Sequence, residues 1–289
     1  MKPIIETLTI KRFRSFPADH VEFDNPTFLV GRNGAGKSNF ADVFAFLAET
    51  VSQPLQAVFD KRGGISVVRN RVASRSAPPN FGLGVVLGPC NDSMQSGRFA
   101  FEVRALPNYG FEVVRERCEV RAIDGQRFWF DRTKAFKSNV AGLKPAIEPT
   151  ALCLPVVAGD ERFAPVARVL GAMRVYSIEP SRLREMQDPD SGTSLRGDGS
   201  NAASVLQELL RVAKDDVVRI GEILSTIVPN TKSVRPKKHG KKLSLDFTQE
   251  WGDKRSLRFE AFSMSDGTLR VLGLLMAVFQ KPSPTVLVL

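Results

Sequence analysis

The sequence has few of the residues that staple or anchor a protein. Its three cysteines, Cys90, Cys118 and Cys153, stand far apart, with His20 and His239 as the only histidines. That spacing fits neither a disulfide framework nor a zinc pattern, so reduced thiols are expected and a Cys/His metal site is set aside. No uncharged apolar run approaches the ~18 residues that suggest a membrane span. The opening MKPIIETLTIKRFRSF holds no apolar stretch long enough for a signal peptide. The address these absences predict is the cytoplasm, with no membrane partner. There is no internal repeat and no sustained heptad run, which excludes long coiled-coil arms and predicts a compact head.

What is present is ordinary in bulk. The 289 residues are 43% hydrophobic and 25% charged, enough for one large α/β domain or two modest ones. The charge is unbalanced, with 41 basic against 31 acidic residues and a net +10. Such an excess favours polyanions through long-range attraction and counterion release, which makes nucleic acid a candidate partner. The basic residues are spread along the chain, however. The run Lys237-Lys238-His239-Gly240-Lys241-Lys242 reads first as a solvated hairpin tip.

Periodicity orders the elements. Ile4–Ile10 reads as a strand, Phe13-Arg14-Ser15-Phe16 follows it, and a turn at Pro17-Ala18-Asp19 leads to a second strand at His20–Phe23. Asp24-Asn25-Pro26 reads as a turn and Thr27-Phe28-Leu29-Val30 as a buried strand. In Asn39–Ser52 the residues Phe40, Val43, Phe44, Leu47 and Val51 recur at helical spacing. The runs Phe81–Leu87, Arg98–Ala105, Phe111–Ile123 and Arg127–Phe130, with turn signals between them, predict an antiparallel meander. Helices are expected from Asp160, from Ser200-Asn201, over Val217–Val228 and over Thr268–Phe279. A short strand is expected at Arg174–Ile178, a hairpin over Lys232–Phe262 turning at Pro236–Lys242, and a strand at Thr285–Leu289.

The chemistry lies between the first apolar strand and its helix. Gly31-Arg32-Asn33-Gly34-Ala35-Gly36-Lys37-Ser38 matches G-x-x-x-x-G-K-[ST], the P-loop, at every fixed position. Backbone N–H groups must point inward at phosphate oxygens there, in conformations that glycine adopts at little cost. The helix that follows adds unpaired N–H groups and the positive end of its dipole. Lys37 would bring a point charge to the β- and γ-phosphates, and Ser38 a hydroxyl ligand for Mg²⁺. ATP with Mg²⁺ is the implied cofactor.

Several segments narrow the family. Leu8–Phe16, a turn, a strand and Gly-Arg-Asn-Gly-Ala-Gly-Lys-Ser-Asn, ending at Asn39, resemble the start of ABC-type AAA ATPases of the SMC/RecF/OLD-like group. In that group an FRSF-like segment lies near the phosphates, which implies Arg14 there with Ser15. Phe262-Ser263-Met264-Ser265-Asp266-Gly267-Thr268 is similar to the ABC signature loop. By that resemblance Ser265, Asp266 and Gly267 reach in trans to the γ-phosphate of a second subunit. The same letters also suit a helix N-cap. Arg62-Gly63-Gly64 and Asp198-Gly199-Ser200-Asn201 have counterparts in OLD-like ATPases and read structurally as a turn and a cap.

The resemblance implies a P-loop NTPase α/β fold, an ABC-type head with a mixed sheet, a flanking meander and a helical signature subdomain. Residues 1–150 would form the P-loop lobe with its meander. Residues 151–289 would form the signature subdomain and the start of the Walker B strand. It further implies a homodimer around ATP, an effector protein, and work in DNA repair or phage defence. One expected part is missing: the Asp/Glu pair that follows the aliphatic strand in this group would come after Leu289. The sequence therefore reads as a truncated form or one completed from elsewhere. This keeps open a nucleotide-gated binding module that does not hydrolyse; a P-loop kinase is a weaker alternative. Leu152–Val157 with Asp160-Glu161 imitates the acidic strand end, but Pro155, Gly159 and chain order argue against it. Nothing selects among Gln53, Gln126 and Gln187 for a glutamine that contacts Mg²⁺.

Overall fold

The computed structural model describes residues 4–70, 80–90, 94–108, 110–251 and 255–289. The chain divides into two compact units, Met1–Met173 and Arg174–Leu289.

The first unit is built on one antiparallel sheet. Its elements are β1 (Ile5–Phe13), β2 (Phe16–Glu22), α1 (Lys37–Thr50), α2 (Leu55–Asp60), α3 (Ile65–Val68), β3 (Asn80–Leu87), β4 (Ser96–Ala105), β5 (Phe111–Arg121), β6 (Arg127–Arg132), β7 (Phe136–Ser138), α4 (Leu154–Val157) and α5 (Ala164–Gly171). The strand order is β2-β1-β3-β4-β5-β6-β7. The expected meander is thus present, and it also incorporates the first hairpin. One face is apolar. Phe46 of α1 packs edge-on against Phe13 and Phe81, with ring centroids 5.4 and 6.0 Å away, and Phe59 packs on Phe111 at 4.7 Å. Period-2 alternation on the strands meets period-3.6 spacing on α1, and the phenylalanines fill the seam between them.

Two expectations fail in this unit. The turn falls at Arg14-Ser15, since Phe13 pairs with Phe16 and Lys11 with Ala18. Pro17 therefore lies inside β2, where it is tolerated because β2 ends the strand order and has a free edge. Thr27–Val30 is neither a strand nor buried: Phe28 is 83% and Val30 92% exposed. Among the described residues the segment joins no strand pairing.

The second unit contains β8 (Met173–Val175), α6 (Pro180–Arg184), α7 (Ala202–Val212), α8 (Lys214–Ile227), β9 (Thr231–His239), β10 (Lys242–Trp251), β11 (Arg255–Glu260), α9 (Asp266–Phe279) and β12 (Val286–Val288). Its core gathers Leu206, Leu209, Ile220 and Leu224 from the helices, Leu245 and Phe247 from β10, and Leu269, Leu272 and Met276 from α9. The expected hairpin has a third strand, in the order β11-β10-β9. It turns tightly after His239, so Pro236 sits in the edge strand β9 opposite Leu245. β12 pairs with β8. The acidic-strand imitation is no strand: Leu154–Val157 is the helix α4, and Asp160 precedes α5 instead of opening it, accepting hydrogen bonds from Arg162.

Candidate nucleotide-binding site

The loop at Gly31–Ser38 is bent by two left-handed glycines, Gly34 at φ 81° and Gly36 at φ 96°. Side chains other than Gly, Asn or Asp rarely adopt this backbone. Ala35 N–H donates to Arg32 O at 3.2 Å, closing the turn, and α1 begins at Lys37. Gly36 is the N-cap and supplies no side-chain hydrogen bond, and the first turn of α1 carries no acid. The leading N–H groups of the helix thus remain available to an external anion, with the helix dipole behind them. The Lys37 ammonium lies across the loop and donates to Gly31 O at 2.7 Å and Arg32 O at 2.9 Å.

The β1–β2 tip braces this loop. Asn39 Nδ2 donates to Ser15 Oγ at 2.9 Å. A Cβ on Gly36 would stand 3.0 Å from that same oxygen, so the motif's second fixed glycine suits the packing as well as the φ. Arg14, at φ 48°, points along α1, where its Nε donates to Asp42 Oδ2 at 2.6 Å.

Arg62 takes the other side of the same carboxylate. Its Nε lies 3.1 Å from both Asp42 oxygens and its Nη2 2.9 Å from Oδ1, while Nη1 reaches Glu49 and also Val58 O at 3.1 Å. Its carbon Cζ stands 5.1 Å from the Phe46 ring centroid. Burial works against the charge, yet the hydrogen bonds and attraction of Asp42 and Glu49 prevail and raise the guanidinium above its ordinary pKa. Sequence reading treated Arg62-Gly63-Gly64 as a turn. It is a turn, with Gly63 and Gly64 at positive φ, but its arginine pins α1 from behind.

In the second unit Ser265 is the N-cap of α9. Its Oγ accepts from Thr268 N–H at 3.2 Å and lies 2.9 Å from Thr268 Oγ1. Arg184 of α6 steadies this loop by donating to Met264 O at 3.0 Å and by pairing with Asp266, whose side chain is otherwise exposed. Phe262, just before the loop, is 80% exposed. The Asp198–Asn201 element is a hydrogen-bonded turn: Asn201 Oδ1 accepts from Arg196 N–H at 2.8 Å, and its Nδ2 donates to Ser194 O at 2.9 Å. Of the three candidate glutamines, Gln187 is buried and bonded to Arg182 O and Ala203 N, which commits it to the second unit's scaffold. Gln53 and Gln126 lie on exposed turns. Among the described residues no cluster of His, Cys, Asp or Glu could hold a metal by itself. No described helix is long and apolar enough to cross a membrane.

A solved structure titled as the SmcHead bound to the C-winged helix domain of ScpA shares this fold at a TM-score of 0.53, with 16% identity over 98% of this chain and 78% of that one. An Smc head domain with an extended coiled coil, bound to the C-terminal domain of ScpA and derived from Pyrococcus furiosus, gives 0.47 and 13% over 96% and 78%. The SMC head domain from Thermotoga maritima gives 0.39 and 14% over 98% and 75%. The chain thus shares the fold of an SMC head domain, with a P-loop at Gly31–Ser38. Residues 27–142 match the sequence model of the family described as "AAA domain, putative AbiEii toxin, Type IV TA system". No curated protein matches the chain.

The residues present fit a triphosphate with its cation. The loop offers glycine-permitted concavity, uncapped helix N–H groups and one ammonium, and Ser38 stands in the first turn of α1 with its side chain exposed. When bound, Mg²⁺ would offset phosphate charge beside that hydroxyl.

Proposed function

We propose that the chain is a cytoplasmic ATP-binding head of the OLD-like kind, which dimerises around ATP. The observation that carries this reading is the bent loop Gly31–Ser38, with Gly34 and Gly36 left-handed, opening onto an uncapped 14-residue helix. In this reading the loop's N–H groups and Lys37 hold the phosphates, with Arg32, Asn33, Ala35 and Asn39 framing the cradle. Lys37 exchanges the carbonyls of Gly31 and Arg32 for phosphate oxygens, and Ser38 turns to Mg²⁺. Arg14 leaves Asp42 for phosphate; Arg62 keeps that carboxylate paired when it does. Ser265, Asp266 and Gly267 of a second copy close over the γ-phosphate from the N-terminus of α9, which is the signature lobe's part in the work. Nucleotide-driven closing and opening would then act on an effector protein or nucleic acid, in DNA repair or phage defence.

Lys37→Ala tests the reading through binding of a fluorescent ATP analogue with Mg²⁺. Affinity should fall by about tenfold or more, since one charge-assisted contact to phosphate is worth roughly 1.5–3 kcal/mol. Light scattering with and without ATP should show a dimer that Lys37→Ala cannot form. Unchanged affinity in the variant would remove the reading. Phosphate release separates a hydrolysing head from a nucleotide-gated module.

A further inference from the structure

The seven-stranded sheet has a second face, turned away from the phenylalanine seam, and the nucleotide reading makes no use of it. A trough of about 460 Å³ runs across it, floored by Thr9, Gly84 and Ala100 and walled by Arg98 and Arg117. A second hollow of about 370 Å³, which holds Trp129 and Lys137, adjoins the first through Arg117 and Arg127. Both lie within the first unit, on strands whose register puts these residues on one side. Thr9 pairs with Gly84, Gly84 with Ala100, Ala100 with Arg117, and Arg117 with Asp131.

Two features of this face make a poor sheet surface. First, Arg121 and Arg127 are direct cross-strand partners, and like charges set opposite each other destabilise a ladder. Arg115 stands on the same side, opposite Glu102. Five carboxylates share the face by register: Glu22 opposite Thr7, Glu112 paired with Arg104, Glu102 with Lys11 at 2.9 Å, Glu119 with Arg127 at 2.8 Å, and Asp131 with Arg115 at 3.4 Å. Arg121 stands opposite Ser96 and Arg127, and Arg98 faces Glu119, a carboxylate it shares with Arg117 and Arg127. Second, the middle of the face is bare. Glycine inside a strand weakens it and marks close approach by another backbone. Gly82 has a local reason, since a Cβ there would sit 2.8 Å from Phe101 O. At Gly84 a Cβ would meet Ala100 Cβ at 3.3 Å, so the two small residues opposite each other keep the floor low.

We propose that this face binds single-stranded nucleic acid, with the phosphate backbone along the arginine walls and a base stacked on Trp129. The floor from β1 to β4 is two strand spacings wide, about 10 Å, which admits one sugar-phosphate chain. Arginines that share too few carboxylates suit a polyanion, and an aromatic beside them supplies the stacking that an acidic peptide does not need. The site is independent of the P-loop, so its test leaves the nucleotide reading untouched.

The experiment is fluorescence anisotropy of a labelled oligothymidylate titrated with the full chain at several salt concentrations, without nucleotide. The wild type should bind with affinity that falls as salt rises. The double variant Arg98→Glu/Arg121→Glu should lose about tenfold or more. The corresponding neutral pair, Arg98→Ser/Arg121→Ser, should flatten the salt slope by about 1.4, the loss of two phosphate contacts on a single strand. Trp129→Ala should weaken binding several-fold and leave the slope unchanged. Lys238→Glu/Lys241→Glu, on the basic turn of the second unit, should bind as wild type, and thermal melts will show that each variant folds. The proposal is overturned if the face variants bind like wild type or the turn variant loses binding equally. It is overturned too if a duplex of the same length binds more tightly, or if polyglutamate displaces the probe as well as unlabelled oligothymidylate does.

Discussion

Replacing Arg62 with alanine should loosen the helix that carries Lys37, Ser38 and Asn39. The Arg62 side chain is only 5% exposed, and it bonds Asp42 with a two-pronged grip, Glu49 with a third N–H group, and Val58 O besides. Removing one partner of a buried ion pair costs roughly 3–5 kcal/mol because the other charge is left unpaired. Here the penalty is smaller. Asp42 keeps Arg14 at 2.6 Å and Glu49 keeps Lys61, and the two carboxylates retain 21% and 15% of their exposure. The expected loss is about 2–3 kcal/mol, with a small part from the contact over Phe46. Arg62→Lys keeps the charge and loses the planar fork, so it should lose about 1–2 kcal/mol. Hydrogen exchange resolved over α1 reads this locally, which matters in a chain of two units where a single melting curve mixes both. Protection over residues 37–50 should fall in the order wild type, lysine, alanine, and nucleotide affinity should follow it. If alanine shifted protection by less than about 0.5 kcal/mol, or lysine matched arginine, the clamp would be idle and Arg62 an ordinary surface turn residue.

Two further outcomes are expected. Burial raises the Glu116 carboxyl from 4.5 to about 7, against the pull of N–H groups from Cys153 at 2.5 Å and Leu154 at 2.7 Å and of Arg132. The folded chain therefore holds a proton that the unfolded chain has released. This contribution is full below pH 4.5 and is lost as pH rises through about 7, amounting to roughly 3 kcal/mol. Urea denaturation across that window should show wild-type stability declining relative to Glu116→Gln; parallel pH profiles would refute the burial argument. Ser265→Asp separates capping from a role at phosphate, because aspartate caps a helix as well as serine does. The second unit should keep its stability within about 0.5 kcal/mol, while ATP-dependent dimerisation is abolished; a dimer that persists would reduce Ser265 to a cap.

Most of the secondary structure was legible because its signals are local. The strands of the meander alternate cleanly and are separated by Pro107-Asn108 and Asp124-Gly125, so their ends were readable within a few residues. The P-loop was legible for the same reason, as eight consecutive residues impose one bend. Glu116 was also within reach. It stands on the inward row of β5 with Cys118 and Val120, where an acid among buried residues announces a satisfied carboxylate. What could not be read is set by partners far along the chain. Pro17 and Pro236 look like breakers, and only the strand order makes them harmless edge residues. Arg62 resembles any arginine before two glycines until α1 is seen beneath it.

Thr27–Val30 shows this limit at the site itself. An aliphatic run before a glycine loop predicts a buried strand, but burial belongs to the neighbours and not to the run. With Phe28 and Val30 exposed, the described loop is held from its other side, by the hydrogen bond from Asn39 to Ser15 and by the two arginines that grip Asp42 on α1. Those contacts all converge on the first two turns of one helix. The loop's shape therefore follows from α1 and the β1–β2 tip, and the residues that govern its stiffness are Arg14, Ser15 and Arg62, of which only Ser15 touches a loop residue's neighbourhood directly.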